Sequence, residues 1–212
     1  LIGLTSLSHF GFIVLGIFVF STQGGAGAIL YMVNHGIATA ALFLVAGYLI
    51  RRRGTALISQ MGGVEKVAPM LAGIFLVAGL AACGLPGLSP FVSELMVIIA
   101  AFGHAWWAGA VAVIAIVLAA IYVLWMYQRT MTGPVRPEVA GFTDLDKREI
   151  GTLAPLVLGL VLFGFFPMPL LDVINPNVEE TMSHVGVTDD PPTVAGGSAD
   201  PDQGASTEGG HQ

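Results

Sequence analysis

Long apolar runs alternate with short polar breaks over the first 171 residues of this chain. Leu1 to Phe20 is apolar apart from Thr5, Ser6, Ser8 and His9, and Ser21-Thr22-Gln23-Gly24-Gly25 reads as a turn. Ala26 to Ile50 is apolar again, carrying Asn34 and His35, and a polar loop from Arg51 to Lys66 follows. A third run extends from about Val67 to Phe102 and is interrupted by Gly84, Pro86, Gly87 and Pro90. The fourth is Ala105 to Tyr127, with Trp106, Trp107, Trp125 and Tyr127 at its ends, where interfacial aromatic belts lie. Polar residues 128–149 lead to a fifth run, Ile150 to Leu171. A helix needs about 20 apolar residues to cross a bilayer. The pattern therefore predicts an all-α integral membrane protein with about five transmembrane helices, spanning 1–20, 26–50, 67–102, 105–127 and 150–171. The third is discontinuous at Gly84–Pro90. Straight, it would measure about 54 Å against a hydrocarbon core of about 30 Å, so it must bend, tilt or re-enter.

Composition agrees: 55% of the residues are hydrophobic and only 10% charged, with mean hydropathy +0.81, whereas soluble domains carry about 25% charged residues. The formal charge of −6 is segregated. Arg51, Arg52, Arg53 and Lys66 lie between runs two and three, and Arg129, Arg136, Lys147 and Arg148 between four and five. Loops 51–66 and 128–149 fall on one side of the membrane, and the positive-inside rule makes that side cytoplasmic. Residues 172–212, which carry eight of the fourteen carboxylates and no Lys or Arg, are then an acidic tail outside. Its start has the composition for a short surface helix; most of it, and the part after Thr188 in particular, is expected to be disordered. Localisation is expected in the cell inner (plasma) membrane. The chain opens on Leu-Ile-Gly inside an apolar run, without a signal peptide, and is expected to be a fragment lacking its N-terminal part. A lone Cys83 excludes an intrachain disulfide, a Cys-ligated iron–sulfur cluster and a zinc ribbon. No Gly-rich fingerprint follows a strand pattern, so no cofactor is indicated in this chain. Arg51–Arg53 read as a topology anchor, not a nucleic-acid patch.

Three ionisable residues fall near the middle of the runs: His9, His35 and Glu94. Hydrocarbon cannot solvate a carboxylate, and a helix break frees backbone groups where there is no water. Glu94 combines both costs four residues after Pro90, which points to a protein-lined or wet cavity and a proton carrier. Imidazoles pass protons between their two nitrogens, which suits His9 and His35 to the same relay. The blander reading makes all three helix-packing groups. Asn34 reads as a structural hydrogen-bonder and His104 as a solvated interfacial residue. Glu94 lies about 12 Å of helix from Pro86, too far for a half-helix dipole to be its main stabiliser. A lysine or water is needed beside it, and no lysine sits at membrane depth.

In order and spacing, SHFGF with His9, NHGIATAALFLVAG with His35, Met61-Gly62-Gly63 and GLPGLSPFVSE ending at Glu94 resemble the antiporter-like membrane subunits of respiratory complex I. Within that family the chain is most similar to the C-terminal part of the subunit M group, and LLDVINPNVEETMSHVGVTD looks like the actinobacterial form. The resemblance implies a fourteen-helix subunit of which these are the last five spans. Its broken helix is matched by Pro86-Gly87, its terminal proton-path glutamate by Glu94, and its mid-membrane histidines by His9 and His35. It implies a proton-translocating subunit of NADH:quinone oxidoreductase, with NADH, FMN, iron–sulfur clusters and quinone in partner subunits. Its partners would be the other membrane-arm subunits of complex I and the lipid bilayer, with no nucleic acid. Two alternatives stay open at this point. One is a subunit of a multisubunit cation/proton antiporter or membrane-bound hydrogenase; the other is a non-conducting scaffold of the membrane arm.

Overall fold

A computed structural model of the chain describes residues 1–187, and the acidic stretch read as disordered after Thr188 lies outside them. The described residues form seven α-helices: α1 Ile2–Phe18, α2 Thr22–Arg53, α3 Pro69–Ala82, α4 Ser89–His104, α5 Trp106–Met131, α6 Lys147–Phe165 and α7 Met168–Val185. Two short 3-10 turns, Ile58–Gln60 and Val64–Lys66, sit in the loop before α3. The described residues contain no strand, so the all-α membrane architecture holds. By length and composition α2, α5 and α6 can each cross a bilayer, and α1, α3 and α4 are shorter apolar helices. Exposed Leu4, Leu7, Phe10 and Val14 on α1, and Val111, Ile114, Leu118 and Ile121 on α5, give the bundle an apolar outer surface.

α2 is the central pillar, packing against α1, α3, α4, α6 and α7. Ser21 caps it, its hydroxyl accepting from the Gly24 amide, and Gly54 closes it in the left-handed conformation (φ 77°). The glycines that read as a turn therefore lie inside a helix. A Cβ on Gly16 would stand 2.8 Å from the Gly24 carbonyl, and one on Gly24 would stand 2.7 Å from the Gly16 carbonyl. Gly27 likewise lies against Met96 and Val97 of α4. Small residues let membrane helices approach closely, and here they set the α1–α2 and α2–α4 contacts.

The third run breaks where the sequence places the break. α3 ends at Ala82, Gly84 (φ 68°) and Gly87 (φ 92°) turn the chain, and α4 starts with Pro90 in its first turn. α3 begins beside Asp144, whose carboxylate accepts from the Met70 and Leu71 amides at 2.8 and 3.0 Å. α4 ends beside the α1–α2 turn, with Ala100 and Ala101 packed on Val19. The two helices follow one another across the bundle, so the long run bends near its middle and does not fold back on itself as a hairpin. Asn34 of α2 holds the break, donating to the Ser89 carbonyl at 2.7 Å and to Ser93 Oγ at 3.2 Å.

The fifth span differs from the reading 150–171. α6 stops at Phe165 and α7 starts at Met168. Pro167 forces the preceding residue out of the helical region, and Phe166 sits at φ −127°, ψ 68°. α7 is the short helix anticipated at the start of the tail, beginning earlier than expected. It buries Ile174 and Val178 against Ala26 and Leu30 of α2.

The basic loops meet at one end, as their positions required. Arg52 of α2 donates to both oxygens of Glu149 on α6, at 2.5 and 3.0 Å, and to the carbonyls of Tyr48, Thr143 and Asp144. Asp146 forms a capping box with Glu149, and the Glu149 amide donating to it holds the exposed Asp146 carboxyl below the usual carboxylate range. Gly63 (φ 70°) seats loop 54–68 on loop 132–146, and a Cβ there would stand 2.6 Å from the Val135 backbone. Backbone cannot swing aside as a side chain can. Gly63→Ala is expected to lower stability by about 2–3 kcal/mol through left-handed strain and displacement of this contact. A thermal-unfolding midpoint equal to the parent protein would contradict this.

Candidate functional site

The break in the third run does more than bend it. α4 restarts at Ser89 and brings Glu94, one turn beyond Pro90, against the face of α2. Glu94 is only 3% exposed, and a carboxyl group so enclosed must be hydrogen-bonded to be tolerated. Its Oε1 accepts from the Tyr31 hydroxyl at 2.7 Å. Tyr31 is fully buried, and its Oη lies 2.6 Å from His9 Nδ1 on α1. A single side chain thus joins the carboxyl of α4 to the imidazole of α1.

The polar path continues on α1 and α2. The His9 and His35 rings lie 5.1 Å apart, centre to centre, tilted by 38°. Ser6 Oγ is 3.2 Å from His35 Nε2, and Thr39 Oγ1 is 3.2 Å from His35 Nδ1. Phe10 packs edge-on against His35 with ring centres 5.7 Å apart. Helical spacing makes this possible: Tyr31, His35 and Thr39 stand four residues apart and line one face of α2. On the far side of Glu94 its second oxygen rests on Gly84, where a Cβ would overlap it.

Three buried polar atoms have no hydrogen-bond partner among the described residues: His9 Nε2, Asn34 Oδ1 and Ser89 Oγ. Buried polar atoms are normally partnered, so this concentration sets the layer apart from the apolar bundle around it. It is a layer of hydroxyl, imidazole and carboxyl groups, the set that exchanges protons. No group of His, Cys, Asp and Glu suited to a metal occurs among the described residues.

All three ionisable residues singled out from the sequence, His9, His35 and Glu94, meet in this cluster. Asn34 stands beside it as the structural hydrogen-bonder expected, and His104 lies apart, exposed in the last turn of α4. Tyr31 escaped the sequence reading. The signal for it was its place one helical turn before His35, in mid-run, where a buried tyrosine hydroxyl needs a partner.

The family model described as NADH:quinone oxidoreductase/Mrp antiporter, TM matches residues 1–119. NADH-quinone oxidoreductase subunit M of Mycobacterium tuberculosis is 53% identical over 195 residues, covering 92% of this chain and 35% of that protein. NADH-ubiquinone oxidoreductase chain 4 of Marchantia polymorpha is 32% identical over 185 residues, covering 87% of this chain and 37% of that protein. The chain thus spans little more than a third of the length of these curated relatives. Among solved structures, respiratory complex I from Thermus thermophilus with bound NADH matches with TM-score 0.83 and 33% identity, over 88% of this chain and 39% of that one. The Mrp complex from Dietzia shares the fold, with TM-score 0.75 at 22% identity, over 86% of this chain and 42% of that one.

Proposed function

This chain belongs to the family described as NADH:quinone oxidoreductase/Mrp antiporter, TM, and from that premise we propose that it works as part of a proton-translocating membrane subunit of NADH:quinone oxidoreductase. NADH oxidation and quinone reduction, with FMN and iron–sulfur clusters, belong in this reading to partner subunits. The chain couples the energy they release to proton movement across the membrane. Its neighbours are other membrane-arm subunits and lipid. The end bearing Arg51–Arg53, Lys147 and Arg148 faces the cytoplasm, the residues after α7 lie outside, and the membrane is the cell inner membrane.

One observation carries the proposal. Glu94, His9 and His35, from three helices, form one buried cluster in which each acidic or basic group is within a single intervening side chain or ring contact of the next. Ionisable groups are costly at membrane depth, and where they persist they mark relays and ion paths. A cluster that only braced the bundle would need neither imidazole nor carboxyl; Asn and Ser hydrogen bonds of the kind Asn34 makes would serve. In the relay Glu94 exchanges the proton at the break, His9 receives it within the bundle, and His35 passes it on towards the hydroxyls of Ser6 and Thr39. The subunit M relative is 53% identical and the complex I structure 33% identical over most of this chain, whereas the Mrp likeness is one of fold.

The test is Glu94→Gln in the full-length subunit within its assembled complex. Glutamine keeps the shape and still accepts from Tyr31, but it cannot hold or release a proton. NADH-driven proton uptake by inverted membrane vesicles is expected to fall at least about tenfold, the loss typical of removing a proton-transfer group. Unimpaired proton uptake would refute the role of Glu94.

A further inference from the structure

The geometry points to Tyr31 as the group that carries the proton between Glu94 and His9, its hydroxyl working as a reversible valve that must reset after each proton. The inference rests on the proton-relay reading above and adds to it a residue and a rule of operation. Tyr31 is fully buried, and its Oη is within hydrogen-bond distance of two ionisable groups at once, 2.7 Å from Glu94 Oε1 and 2.6 Å from His9 Nδ1.

A hydroxyl has one proton to donate, so it cannot donate to both neighbours. Two arrangements satisfy the pair of contacts. With Glu94 ionised, Tyr31 donates to Oε1 and accepts from His9, which then carries its proton on Nδ1. With Glu94 protonated, the carboxyl donates to Tyr31 Oη, and Tyr31 donates to a bare His9 Nδ1; His9 then carries its proton on Nε2. His9 Nε2 is buried with no partner among the described residues, so no competing hydrogen bond locks either tautomer.

From the second arrangement the transfer balances without leaving charge on the phenol. The Glu94 O–H bond breaks as an O–H bond forms on Tyr31 Oη. The original Tyr31 O–H bond breaks as an N–H bond forms at His9 Nδ1. Glu94 ends as carboxylate, His9 as imidazolium, and Tyr31 as the same neutral phenol. A phenol alone gives up its proton only near about pH 10, so the concerted hand-over is what makes it usable. Afterwards Tyr31 donates towards Glu94, the first arrangement. A second proton arriving at Glu94 cannot follow until His9 has passed on its proton through Nε2, the proton left on Nδ1 has been exchanged to Nε2 so that Nδ1 is bare again, and Tyr31 has turned back. The segment passes one proton per reset.

Tyr31→Phe in the full-length subunit of the assembled complex removes the oxygen and keeps the ring, which packs against Phe12 with centres 6.0 Å apart. The protons taken up per NADH oxidised should fall at least about tenfold in a complex that still assembles. Replacing Tyr31 with 3,5-difluorotyrosine gives a second reading that is nearly isosteric. Fluorination makes the phenol easier to ionise, and an ionised phenol has no proton to hand on. The alkaline limb of proton uptake should therefore move down by about half a pH unit or more. Full uptake in Tyr31→Phe, or an unmoved pH profile in the fluorinated protein, overturns the valve. If Tyr31→Phe pumps fully while Glu94→Gln does not, the relay reading stands and only the valve is lost. If Glu94→Gln pumps fully, the relay reading itself falls.

Discussion

Gly84→Ala is expected to abolish proton uptake almost completely while leaving the complex assembled. Two independent effects fall on that residue. Gly84 sits at φ 68°, a left-handed conformation that costs an alanine about 1–2 kcal/mol. The added methyl would also occupy the place of the second carboxylate oxygen of Glu94. The carboxyl cannot give way cheaply, because its other oxygen is held by Tyr31. Either the side chain rotates and breaks that hydrogen bond, or the break shifts and carries α4 away from Asn34. Both outcomes disconnect Glu94 from His9.

The neighbouring glycine separates the two effects. Gly87 is also left-handed, at φ 92°, but a Cβ there would meet only the Phe165 ring, at 3.5 Å, an ordinary contact. Gly87→Ala should lose a comparable amount of stability and keep most of its proton uptake. Equal activity of the two variants would mean that Gly84 shapes the break and does not seat the carboxylate.

How legible this site was depends on which physical signal each residue leaves in the chain. His9, His35 and Glu94 stood out because ionisable side chains are conspicuous in apolar runs. Their adjacency was not readable: depth along a helix says nothing of which face it presents to its neighbours. Tyr31 left a fainter mark, its place one helical turn before His35, because a tyrosine in an apolar run is usually a packing residue and only the fold sets its hydroxyl between two ionisable groups. The break at Gly84–Pro90 was legible because Pro and Gly disrupt a helix by local sterics. The same rule misled at Gly24 and Gly25. Read locally, two adjacent glycines are a turn; in the bundle they are the bare surface on which α1 and α7 lie, and tertiary contact outweighs propensity. Pro167 was the opposite case, a local breaker passed over inside an apolar run that then divided into α6 and α7.

The three arginines that end α2 illustrate the same divide, and they carry the second large effect. As sequence they are equivalent anchors at the membrane surface. In the fold Arg51 is exposed, Arg53 pairs with Gln60, and Arg52 alone clamps α2, α6 and the loop that caps α3. The side chains of Arg52 and Glu149 are 12% and 9% exposed, so removing one leaves the other largely shielded from water. Arg52→Ala should cost about 2–3 kcal/mol, between the limits for exposed and fully buried pairs, and should lower the amount of intact complex recovered from membranes. Arg52→Lys should fall between, because an ammonium cannot reproduce the guanidinium fork that reaches both Glu149 oxygens and three carbonyls. The double variant Arg52→Leu, Glu149→Leu removes the stranded carboxylate along with its partner, and should recover part of the loss seen in Arg52→Ala. Thermal inactivation of the purified complex measures all three. A double variant weaker than Arg52→Ala would show that the capping of α6 by Asp146 and Glu149, and not the charge pair, holds this end together.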